Sequence, residues 1–162
     1  MSASVIDDVE IARALHVAFV VHWIGGVTFV TLVALPLARS YADAGKGWAL
    51  FEAIERRFAA QVRFSIPLAG ATGLWMAWRL DLWGLFGEPA AWWMNAMVLL
   101  WALLMVTVFV VAPLAHRRVA AMAAEDPAAL LLRLSRVHCV LLAAGTVTIF
   151  GAVAGAHGGI FG

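Results

Sequence analysis

Charge is scarce in this chain of 162 residues. Asp, Glu, Lys and Arg make up 13% of it, hydrophobic residues 64%, and the mean hydropathy is +0.93. A soluble globular domain carries about a quarter charged residues, so this composition excludes that class and predicts an integral membrane protein. There is a single cysteine, Cys139, which rules out an intrachain disulfide and a thiolate metal cluster within one chain. Cys139 is expected to be small buried filler. All ten acidic residues fall in the tails, the loops or the edges of the apolar runs, so no run offers a carboxylate for an ion or proton relay. That argues against an antiporter or a proton pump. The first residues, MSASVIDDVE, lack the positive region of a signal peptide, and the first apolar run is expected to be retained. With a net charge of +1, nucleic acid is not an expected partner.

Long apolar runs are what the chain does have. Ala14 to Leu37 contains no formally charged side chain but carries two histidines, His16 and His22. At about 1.5 Å per residue it is long enough for a bilayer core of about 30 Å, and ionisable groups inside such a span point to function. Three further spans follow. The expected set is 11–37, 58–80, 90–114 and 131–157 within one domain, with Pro36 and Pro113 closing the first and third. From Trp48 the first loop alternates apolar and charged residues, as a surface helix running straight into span two. Trp75, Trp78, Trp83, Trp92 and Trp93 suit an aromatic belt at the membrane interface. Asp126-Pro127 breaks the chain before span four.

The basic residues are sorted by side. Arg39, Lys46, Arg56, Arg57, Arg63, Arg117, Arg118, Arg133 and Arg136 border two loops, whereas Arg13 and Arg79 lie on the opposite side. The positive-inside bias predicts an all-α, up-and-down four-helix bundle with both termini outside, in a bacterial cytoplasmic membrane.

The polar inventory of the spans reduces mainly to five histidines, with Asn95, Gln61 and scattered Ser and Thr. Position along the spans puts His16 roughly 12 Å and His157 roughly 16 Å toward the outer side, at comparable depth. His116 and His138 form a second, inner level, and His22 lies near mid-membrane with no histidine at its own height. Paired imidazoles on facing helices suit a haem iron, with one haem or two, and Arg63 and Arg136 could pair with propionates. Gly25, Gly26, Gly70, Gly73 and Gly151 would give a porphyrin room. Met94 and Met97, with His16, His22 and His157, offer an alternative copper(I) site. In a third reading the chain is a structural subunit of a respiratory assembly. Quinone or a redox protein is a candidate partner beside the lipid bilayer, and small-residue faces such as Gly70-x-x-Gly73 would also suit a homodimer.

Arg13-Ala-Leu-His16 followed by Trp23-Ile-Gly-Gly26 resembles the first helix of the HemJ-type protoporphyrinogen oxidases and of the related copper-resistance D membrane domains. Glu55-Arg56-Arg57 is similar to the oxidase group, and Arg63-Phe-Ser65 with Thr72-Gly-Leu74 to the copper-resistance group. The resemblance implies haem b held partly by His16. Where the oxidases carry a histidine and a lysine at the start of the third helix, this chain reads Trp92-Trp-Met-Asn95-Ala-Met97.

Overall fold

The computed structural model describes residues 7–41 and 46–156, and every regular element among them is helical. The first helix, α1 (Asp8–Phe29), starts at Asp7, whose carboxylate accepts a hydrogen bond from the Val9 N–H at 3.4 Å. Asp8 and Glu10 in the first turn favour that end through the helix dipole. A π-helical turn, Val30–Ala34, carries the chain into α2 (Leu35–Ser40). The amphipathic loop segment and the second apolar run form one uninterrupted 33-residue helix, α3 (Gly47–Arg79).

Two short 3-10 turns, Leu82–Gly87 and Pro89–Ala91, lead to α4 (Trp92–Val106). The Asn95 side-chain amide donates to the Phe86 carbonyl at 3.0 Å and ties this connection to the start of α4. A second π-helical turn, Thr107–Val111, joins α4 to α5 (Ala112–Glu125). The last helix, α6 (Pro127–Ala156), is capped by Asp126, which accepts from the Ala129 N–H at 2.9 Å.

The two prolines expected to end helices do not end them. Helix continues past Pro36 to Ser40 and past Pro113 to Glu125, so the loop expected before Asp126 is helical as well. The π-turns supply the reason. A proline inside an α-helix lacks an N–H and presses on the carbonyl four residues earlier, here that of Leu32 or Phe109. Both carbonyls lie inside the wider π-helical turns, where the bonding pattern has already shifted to the fifth residue. Each widened turn lets the helix run through its proline without a break.

The broadest helix contact is between α1 and α3, which run antiparallel. At one end Arg79 Nε donates to Asp8 Oδ2 at 2.8 Å, and further along the Phe58 ring occupies the space that a side chain on Gly26 would need. Trp23 and Val27 of α1 pack with Val62 and Ile66 of α3 and Leu104 of α4. A second core joins Val30, Leu35 and Ala38 to Phe51 of α3 and Leu131 of α6, and both leucines are fully buried. At the other end of the molecule, Trp93 of α4 fills the space beside Gly155 of α6. Trp93 thus belongs to a helix–helix contact, whereas Trp75, Trp78, Trp83 and Trp92 are exposed as a belt requires.

Three helical runs are long and apolar enough to cross a membrane: Asp8–Ser40, Pro89–Glu125 and Pro127–Gly155. They leave most of their apolar side chains uncovered, among them Leu99 at 70% and Leu114 at 78% exposure. A water-soluble chain could not leave such surface uncovered, which makes this a membrane protein. Cys139 also lies on the exposed surface of α6 rather than in the core, so it is not buried filler.

Candidate functional site

His16 lies two turns into α1, on the side that faces α3. Its Nδ1 is 2.8 Å from the Ala69 carbonyl oxygen and 3.3 Å from Thr72 Oγ1. The Thr72 hydroxyl is itself 2.8 Å from the Leu68 carbonyl and 3.0 Å from the Ala69 carbonyl, so its proton has an acceptor one turn back in its own helix. Both neighbours of Nδ1 are therefore acceptors, and Nδ1 must be the protonated nitrogen. The consequence is chemical: in the neutral ring Nε2 is the nitrogen with the free lone pair, and it has no hydrogen-bond partner among the described residues. A metal-binding histidine is commonly prepared in this way, with one ring nitrogen donating to a carbonyl and the other left to ligate.

Gly73 makes the arrangement sterically possible. A Cβ there would stand 3.1 Å from His16 Cε1 and 3.4 Å from Nδ1, closer than the ring tolerates without moving.

His22 lies one to two turns further along α1 and is exposed. It opens a groove of about 440 Å³ between α1 and α3. The α1 wall is His22, Gly25, Gly26 and Phe29, and the α3 wall is Ile54, Arg57, Phe58 and Gln61. Both walls follow the i, i+3, i+4, i+7 spacing of a single helix face. A side chain on Gly25 would meet nothing within 4 Å, so Gly25 borders open space. The other glycines expected to make room for a porphyrin are taken by the chain itself. Phe58 fills the space at Gly26, Trp101 at Gly70, His16 at Gly73, and Trp92 with Trp93 at Gly151.

His138 and His116 have different surroundings. His138 Nδ1 is 2.9 Å from the Leu134 carbonyl of its own helix. His116 is exposed on α5, and Arg63 and Arg136 are exposed on α3 and α6. His157, the expected level partner of His16, lies outside the described residues.

Met94 is buried and Met97 half-buried on α4, which packs against α3 and α6. Among the described residues no group of three or more His, Cys, Asp or Glu side chains is arranged to hold a metal. A haem asks less of the chain than a bare metal ion, because the porphyrin supplies ligands of its own.

The Ala69 carbonyl was not singled out from the sequence, and Arg57 and Gln61 were named there only among the basic and polar residues, not as one wall of a groove. A helix carbonyl carries no residue signature. The groove had one: matched i, i+3, i+4, i+7 stripes on two helices, visible once the antiparallel register of α1 and α3 is known.

Comparison of the chain with protein-family models, with curated proteins and with solved structures finds no match.

Proposed function

We propose that this chain is a haem b-binding integral membrane protein with an electron-transfer or oxidoreductase role, linked to quinone, and that His16 would hold the haem iron through Nε2. The supporting observation is the fixed tautomer of His16. Nδ1 donates to Ala69 and Thr72 across the α1–α3 contact, which orients the ring and leaves Nε2 as a ligating lone pair inside an apolar helix. When bound, the haem supplies one-electron chemistry, and the protein sets its ligand, burial and potential. The chain's own part is to hold the imidazole, keep its proton on Nδ1 and exclude water with the apolar faces of α1 and α3.

In this reading α3 is the fourth span. With it, the four helical runs form an up-and-down bundle with both termini outside a bacterial cytoplasmic membrane. The test is the absorption spectrum of the purified protein. A Soret band that is present in the wild type and lost in His16→Ala supports the assignment. A haem-free wild-type protein that shows no spectral change on haem addition overturns it.

A further inference from the structure

The groove between α1 and α3 is separate from His16 and has its own chemistry. Its three polar side chains, His22, Arg57 and Gln61, make no hydrogen bond or ion pair among the described residues. His22 and Gln61 lie at one height in the antiparallel register, because Gly26 faces Phe58 and His16 faces Ala69. Arg57 is one turn further along α3, about 6 Å by helix rise. Between these two levels lie Phe58 and the open space at Gly25, and Phe29 closes the groove just past Arg57.

With α3 as the fourth span of the reading above, unpartnered donors on the α1–α3 pair call for a ligand that accepts hydrogen bonds, because lipid tails cannot. The spacing selects its shape: two acceptors on opposite sides of a flat ring about one helical turn across. The cavity volume is of the size used for small ligands, about 300–1,000 Å³.

We propose that this groove binds the head of a membrane-dissolved para-quinone, with His22 and Gln61 donating to one ring oxygen and Arg57 to the other. A phospholipid fits less well, since its anionic head would engage Arg57 and leave His22 and Gln61 against acyl chains. This locates the quinone that the haem reading invokes, but it does not require His16 to be a ligand.

The test is photo-crosslinking of the full chain in phosphatidylcholine nanodiscs with an azido-quinone, with adducts mapped by mass spectrometry. The expected adducts fall within 22–29 and 54–61 and are displaced by decylubiquinone. A Cβ at Gly25 meets nothing within 4 Å, so Gly25→Leu puts its side chain into the groove without displacing the backbone contact; its thermal midpoint should stay close to the wild type while the specific adduct falls at least tenfold. His22→Leu should weaken decylubiquinone competition by a similar factor. An unchanged adduct yield in folded Gly25→Leu overturns the proposal. So does displacement by phosphatidylglycerol but not by decylubiquinone, which would assign the groove to an anionic lipid. His16 and haem do not enter this readout, and the adduct should persist in His16→Ala, so failure here and failure of the haem assignment are told apart.

Discussion

A histidine in an apolar helix can be recognised from sequence, but the state of its ring cannot. His16 stood out because Ala14 to Leu37 holds no formally charged side chain. Its partners did not stand out, because one is the main-chain oxygen of an alanine and the other a threonine that lies on the facing helix. If Thr72 helps hold the Nδ1 proton, Thr72→Val should weaken haem affinity roughly tenfold without unfolding the protein, at the lower end of the effects of outer partners on bound metals. Haem titration of the purified variant checks this.

At the scale of elements, apolar runs and their order were readable, and helix ends were not. Pro36 and Pro113 read as stops because proline inside an α-helix loses a hydrogen bond and crowds the preceding turn, a cost that α3 nevertheless accepts at Pro67. The chain accommodates both with a π-turn immediately before them, a non-local register change that residue pattern does not reveal. Glycines were read as space, yet most of them seat aromatic rings of neighbouring helices. The α1–α3 contact gives the clearest test. Gly26→Leu must displace Phe58 and should destabilise by at least about 1–3 kcal/mol, as overpacked cores do. Phe58→Ala should cost about 3–5 kcal/mol for its cavity. In the double variant the leucine fills part of that cavity, so its loss should be smaller than the sum of the two. Denaturation of all three proteins in the same detergent measures the coupling, and strict additivity would mean that the two residues do not compete for one space.

For the whole molecule, membrane residence was legible because it depends on composition and run length, which need no contact map. The all-helical architecture followed from the same runs. Which histidines meet was not legible, because depth along a span gives height without giving the face of the helix. His16 faces α3 rather than another histidine among the described residues, and His22 faces the groove. His16 and His22 thus stand at two places on α1, roughly 9 Å apart along the helix axis. In the proposed reading the first would hold an iron and the second would donate to an acceptor ring. The most direct test of the central claim is a haemin titration of haem-free protein, followed at the Soret maximum in the wild type, His16→Ala and His22→Ala. Saturable one-to-one binding in the wild type and in His22→Ala, and none in His16→Ala, is the predicted result. Equal binding in His16→Ala and the wild type would contradict it.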